Sequence, residues 1–221
     1  MAVARKSQPL DAVRRERRES RALPRDFYER PVLEVARDLV GKLLVHELGP
    51  EPLVARIVEV EAYRGPEDRA AHSAGGRRTT RNEAMWGPAG HAYLFFVYGM
   101  HWQFNVVTGR VGEPHAVLVR AVEPVQGKER MARRRGVAPT RRELSNGPGK
   151  LCQALGLDAR HYGLDLTRPP LYLLDAPKAR VVRSKRIGID YAGAWALRPW
   201  RFSEAGNPYV SKLPEGRLRR A

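Results

Sequence analysis

Apolar residues first fall into a helical rhythm at Val32, Val35, Ala36, Leu39 and Val40, the i, i+3, i+4, i+7, i+8 spacing of one helix face. Pro31 suits the first turn of such a helix and Gly41 marks its end. Residues 43–48 then read as a buried strand. The period changes to two in LVARIVEVEAY (53–63), rich in β-branched residues and closed by the Gly65-Pro66 turn. Alternation puts Val58, Val60 and Ala62 on one face, suited to a core, and Glu59, Glu61 and Tyr63 on the other. A strand that aims two carboxylates and an aromatic the same way either faces solvent or lines a site.

Residues 92–97 and 102–108 read as the strands of a hairpin around Tyr98-Gly99-Met100-His101. Tyr93, Phe95 and Val97 share a face, an aromatic stripe of the kind that usually packs in a core. Tyr98 at the tip, beside a glycine, suits a probe or wedge. HAVLVRAVEP (115–124) is a further strand whose apolar pattern Arg120 interrupts. A charge on a half-buried strand needs a partner, and Glu61 is the one expected. Residues 126–143 read as a helix and a basic loop, with seven Lys or Arg and two Glu. In SNGPGKLCQALG (145–156), Ser145 or Asn146 can cap a helix that Pro148 opens, with Leu151, Ala154 and Leu155 turned inward. Short strands are expected at 171–174, 180–182 and 186–189. Residues 191–211 should pack over the sheet, with Trp195 and Trp200 in the core. No internal repeat or linker is visible. The pattern predicts one mixed α+β domain over 23–213, between a basic, disordered or loosely docked arm at 1–22 and a frayed basic tail at 214–221.

Charge changes this picture. The formal net charge is +16 over 221 residues, with a sequence pI of about 10.7. That balance favours polyanions, nucleic acid first and an anionic membrane surface second; an arginine-rich coding bias would leave the same mark. Arg77 and Arg78, in the glycine- and arginine-rich loop 75–90, either touch phosphates or are simply solvated. Gly147, Gly149 and Lys150 offer free N–H groups and a cation at a helix start, an anion site. One cysteine, Cys152, excludes an internal disulfide framework, a cysteine zinc cluster and the zinc deaminases. The six histidines show no metal-ligand spacing. No apolar run approaches a membrane span and no hydrophobic signal region opens the chain, so a cytoplasmic protein without metal or cofactor is expected.

His72, nine residues beyond Tyr63 and past the turn, can fold back over the strand end. EVEAYRGPEDRAAHS, the YGM turn followed by Asn105, VLVRAVEP and NGPGKLCQAL together resemble the alkyladenine (3-methyladenine) DNA glycosylase family, in order from about Leu23 to Leu213. The resemblance implies a bacterial member with a curved antiparallel sheet, acting as a monomer on double-stranded DNA that contains damaged purines. It implies that Tyr63, His72 and Phe95 sandwich a flipped base. Tyr98, with Met100 beside it, would enter the minor groove. Asn105 would shape the pocket and exclude guanine by a clash with its exocyclic amine. Phe95 departs from members that carry tyrosine there, keeping the ring face and losing the hydroxyl. Glu61 would activate water, which Arg120 and the Ile187 backbone carbonyl would help to hold, and Gly147, Gly149 and Lys150 would meet a backbone phosphate. Glu59 shares the face of Glu61 and stays a rival for the base. Two other classes fit part of the pattern: a binder without turnover, and a nuclease, which would need a divalent metal.

Overall fold

The computed structural model describes residues 22–49, 51–212 and 219–220. Almost all of the basic arm, at 1–21, and residues 214–218 and 221 of the tail lie outside them. Two short helices, α1 (Arg25–Tyr28) and α2 (Val32–Leu39), lead into β1 (Leu43–His46) and the long β2 (Leu53–Arg64). β3 (Ala92–Val97) and β4 (His101–Thr108) form the hairpin, and β5 (His115–Gln126) returns along β2. Then come α3 (Lys128–Arg135), α4 (Pro148–Leu155), β6 (Leu171–Leu174), β7 (Val181–Ser184), β8 (Arg201–Glu204) and β9 (Arg219–Arg220). Every pairing is antiparallel, in the order β3-β4-β5-β2-β8-β7-β9, with β1 beside β2 and β6 beside β1. The sheet curls, and the helices pack on it, so the fold is mixed α+β as expected.

The helical stripe behaves as its spacing predicts: Val32, Val35, Ala36, Leu39 and Val40 are all buried. Pro31 stands just before the first turn, not inside it. Leu151, Ala154 and Leu155 of α4 are also buried. The expected cap of α4 is not made. Gly147 occupies the N-cap position and no side chain caps it. Ser145 instead donates to the Val122 carbonyl at 2.6 Å, and Asn146 accepts from Lys150 at 2.9 Å. Arg219 and Arg220 pair with β7, so that part of the tail joins the sheet.

The segment 186–189, expected as a strand, is irregular. Arg186 explains why. It is buried, and its guanidinium donates to both oxygens of buried Asp68 (2.5 and 2.9 Å), to the Ala62 carbonyl (2.9 Å) and to the Trp195 carbonyl (3.2 Å). A residue that reads as surface charge is a buried tie between the end of β2, the following turn and the closing segment. Asp68 in turn accepts from the N–H groups of Arg64 and Ala70, shaping the turn after β2. Gly65 makes that turn possible: its φ is +63°, and a Cβ there would come within 2.6 Å of the His115 ring.

Removing one partner of a buried ion pair leaves an uncompensated charge, which costs about 3–5 kcal/mol. Arg186→Met should therefore lower the unfolding free energy by about that amount, read as a lower urea midpoint at unchanged slope. A loss below about 1 kcal/mol would mean Asp68 finds another partner.

Candidate functional site

The site rests on one row across five strands. Tyr93 on β3 faces Asn105 on β4, which faces Leu118 on β5, which faces Glu61 on β2, which faces Arg201 on β8. Directly opposed residues share a sheet face, so the row is a single surface. Tyr63, two residues on from Glu61, faces Ala116. Towards the hairpin tip, Phe95 faces Gln103. Above this surface lies a cleft of about 360 Å³, walled by Tyr63, His72, Tyr93, Phe95, Gln103 and Asn105, with Arg120, Ile187, Tyr98 and Pro148 also on its border.

Glu59 and Glu61 are both fully buried, so the strand face they share does not face water. Arg120 reaches both, through Nε to Glu59 and Nη1 to Glu61, each at 3.3 Å. The expected Arg120–Glu61 pair is thus direct, and Glu59 joins it. Burial works against the charge on Arg120, but Glu61 and Glu59 outweigh it and leave its pKa above the ordinary value. The two carboxylates then part company. Glu59 accepts from Arg201 (3.0 Å) and from the Ser211 N–H (2.6 Å), which anchor β8 and the closing segment. Glu61 accepts from the Tyr63 hydroxyl (2.9 Å) and the Ile187 N–H (2.8 Å), both of which border the cleft. Burial, and then the neighbouring Glu61, raise the Tyr63 pKa well above the ordinary value, so the phenol stays a donor. The Ile187 carbonyl accepts no hydrogen bond among the described residues.

His72 does return over the strand end. Its ring lies edge-on to Phe95 at 4.4 Å between centroids, and its Nδ1 is 2.7 Å from the Tyr93 hydroxyl. Tyr63 makes no ring contact with His72 or Phe95 among the described residues, so a gap separates it from them. Partial burial of the ring, with Arg81 and Arg77 nearby, pushes the His72 pKa down to about 4, although the residue as a whole is exposed. Asn105 is buried and its amide donates to the Tyr93 carbonyl at 3.1 Å. A carbonyl can only accept, so the amide orientation is fixed and the side-chain oxygen is left over.

At the hairpin tip Tyr98 is 86% exposed and Met100 67%. Tyr98 takes φ +53° and Gly99 φ +65°, with the Met100 N–H closing on the Val97 carbonyl at 3.1 Å. Among the described residues Tyr98 is the one non-glycine with positive φ. Holding a bulky side chain there is a strain that the surrounding hairpin must sustain. Gly149 lies against this hairpin: a Cβ on it would come within 2.9 Å of His101. The start of α4 is therefore seated at the cleft mouth, where Pro148 borders it. Lys150 is held by Asn146, and Gly147 is extended. Arg78 is tied to Glu83 (2.5 and 2.9 Å) and lies over the Trp86 ring, whereas Arg77 is exposed without such a tie.

The structure thus brings Arg120, Tyr63, His72, Phe95, Asn105 and Ile187 to one cleft, with Tyr98 at its mouth. Glu61 does not line it but lies buried behind it, bonded to Tyr63, Arg120 and Ile187. Met100, Arg77, Arg78, Gly147, Gly149 and Lys150 are not among its lining residues either. Sequence reasoning misses several wall residues, among them Tyr93, Gln103 and Tyr191. Tyr93 reads as core, although its alternation with Phe95 places it on the same face. Gln103 and Tyr191 carry no signal of their own. Among the described residues no group of three or more His, Cys, Asp or Glu is placed to hold a metal ion, and no helix is long and apolar enough to cross a membrane.

Residues 26–208 match the family described as methylpurine-DNA glycosylase (MPG). Similar curated proteins include one from Methanocella arvoryzae, 48% identical over 88% of this chain and 98% of its own length. Another, from Desulfitobacterium hafniense, is 50% identical over 86% of this chain and 98% of its own, and one from Bacillus cereus is 47% identical over the same shares. Each carries the name "Putative 3-methyladenine DNA glycosylase".

The His72 environment has a direct check. Its ring protons, followed by NMR against pH, should titrate well below the usual histidine range, towards about 4. A midpoint at or above about 6.5 would mean that the ring is hydrated and free of the cleft.

Proposed function

The chain belongs to the methylpurine-DNA glycosylase family, and from that premise we propose that it flips a damaged purine of the 3-methyladenine type out of the duplex and hydrolyses its N-glycosidic bond with a water activated by Glu61. Family membership makes it a DNA glycosylase, a hydrolase of base excision repair. The observation that carries the finer reading is the placement of Glu61. It is buried directly behind an aromatic cleft, held by three donors that border that cleft. A carboxylate has about four acceptor positions. Tyr63, Arg120 and Ile187 take three, and a proton of water fits the fourth.

Flipping a base costs a few kcal/mol, and less when damage has already weakened its pairing. Stacking on an aromatic face returns ~1–3 kcal/mol per base. The gap between Tyr63 on one side and His72 with Phe95 on the other supplies that slot. Tyr98, exposed on a strained turn, fills the place the base leaves. A neutral His72 adds no charge against a cationic alkylated base. Bond cleavage passes through an oxocarbenium-like sugar. Glu61 takes a proton as its water attacks, while Arg120 and the Ile187 carbonyl hold that water in line. Loss of a cationic base needs no second catalytic carboxylate. Glu59, fixed by Arg120, Arg201 and Ser211 away from the cleft, is then a structural residue. No lysine borders the cleft among the described residues, which favours simple hydrolysis without strand cleavage. Asn105, held in place by the hydrogen bond from its amide to the Tyr93 carbonyl, narrows the pocket where guanine would carry its extra amine.

Phosphates are met by the basic surface around the mouth: Arg77, the hairpin tip with Met100, and the start of α4 at Gly147, Gly149 and Lys150. Arg78 would have to exchange Glu83 for a phosphate.

Single-turnover release from a duplex with one damaged purine, in EDTA, tests this reading. Glu61→Gln should keep DNA affinity and lose release by about a hundredfold or more. Near-normal release would move the base role elsewhere, and loss of release with affinity kept in Glu59→Gln, beside near-normal release in Glu61→Gln, would reverse the assignment. Affinity for DNA should also fall steeply between low and moderate salt, because phosphate contacts release counterions. A flat salt response would mean that the basic surface is not the binding face.

A further inference from the structure

We propose that Gln103 is a specificity-determining residue of the cleft, hydrogen-bonding the exocyclic group of the flipped purine; the proposal rests on the excision reading above. Four other polar side chains of the cleft wall already have partners within the chain. Tyr63 donates to Glu61, His72 bonds Tyr93, Asn105 donates to the Tyr93 carbonyl, and Arg120 spans Glu59 and Glu61. Gln103 is half-buried in the same wall, and its side chain makes no hydrogen bond among the described residues. Its amide is open to water, so a ligand that displaces that water must replace its hydrogen bonds or leave the group unpaired at a cost.

Its place in the sheet says what that ligand presents. Gln103 directly faces Phe95, so its amide leaves the sheet at the level of a ring that would stack on the base. Asn105 stands two residues further down β4 on the same face, about 7 Å away by strand rise. The two carboxamides therefore flank one side of the slot. They are not equivalent. The Asn105 amide is fixed by its bond to a backbone carbonyl, so its oxygen and its one remaining N–H are held in a set orientation. Gln103 can turn its amide to offer either a donor or an acceptor. An adenine-type base presents an exocyclic amine, and a hypoxanthine-type base presents an oxygen at the same place. A residue that answers both lets one cleft accept both classes.

The test measures single-turnover release from duplexes carrying one 3-methyladenine analogue or one hypoxanthine. Beside it, affinity is measured for the same duplex with a tetrahydrofuran abasic analogue at that site. Wild type, Gln103→Met and Gln103→Glu are compared, each with its thermal melt. Gln103→Met, similar in length and without the amide, should slow release of both bases by about tenfold, the loss of one hydrogen bond. Abasic affinity should stay within about twofold of wild type, because that ligand has no base to read. Gln103→Glu, an acceptor only, should recover release of the amine-bearing base and not of hypoxanthine. Release unchanged in both variants, with wild type active, overturns the role of Gln103 alone. A fall in abasic affinity that matches the fall in release also overturns it, since the contact would then be to sugar or phosphate. Wild type that binds DNA and releases neither base overturns the excision reading itself, and this inference with it.

Discussion

Two carboxylates two residues apart on one strand, both without contact to water, are the constraint from which much of this structure follows. Burying even one ionised carboxylate is costly unless donors surround it. Here Arg120 sits between Glu59 and Glu61, and four further segments complete their hydrogen bonding. β8 contributes Arg201, the segment after it the Ser211 N–H, the irregular chain after β7 the Ile187 N–H, and β2 itself Tyr63. The irregular chain from Lys185 to Ile189 is held against β2 by these bonds and by the Arg186–Asp68 pair. A rim of the cleft that looks like loop is therefore fixed by buried charge. The register of β2 against β5 shifts on both sides of Glu59, where this cluster interrupts the regular ladder.

The same arrangement separates two roles that the sequence pattern leaves equal. Period two puts Glu59 and Glu61 on one face and cannot tell them apart. Their partners can. The donors to Glu59 come from Arg120, β8 and the far closing segment, and none of its bonds leads to a cleft residue other than Arg120. The donors to Glu61 all border the cleft. Both carboxylates use both oxygens, Glu59 to tie β8 and the closing segment to β2, Glu61 to hold residues that border the cleft.

Much of this is legible in the sequence. The helix stripe, the hairpin and the long β2 follow from local periodicity, which acts over a few residues; the Arg120 pairing spans 59 positions and is legible because an unpaired charge on a half-buried strand requires a partner. What is not legible depends on long-range contact. Arg186 reads as one more surface cation because its partner, Asp68, is 118 positions away. Its segment reads as a strand because β-branched residues there satisfy propensity while tertiary bonds to Ala62 and Asp68 decide the path. Ser145 and Asn146 have the chemistry of caps, yet each is claimed by a partner elsewhere, which leaves an extended glycine to begin α4. Tyr93 and Gln103 can be placed on the cleft face only by the pairing of β3 with β4; an aromatic stripe alone reads equally well as core. The family resemblance carries the remaining roles, and it does so residue by residue.

Charge and cleft chemistry then act at different ranges. The net charge of +16 draws a polyanion from beyond contact distance, with no regard to sequence or damage. The cleft is nearly its opposite: aromatic faces, a neutral imidazole, two carboxamides and a guanidinium already satisfied by two carboxylates. A phosphate gains little from such a surface, because its guanidinium, Arg120, is already shared between Glu59 and Glu61, whereas aromatic faces suit a planar group. The internal pairing of Arg120 thus has a consequence beyond stability: it leaves the net positive charge outside the cleft, so that long-range attraction and the chemistry of the cleft do not compete.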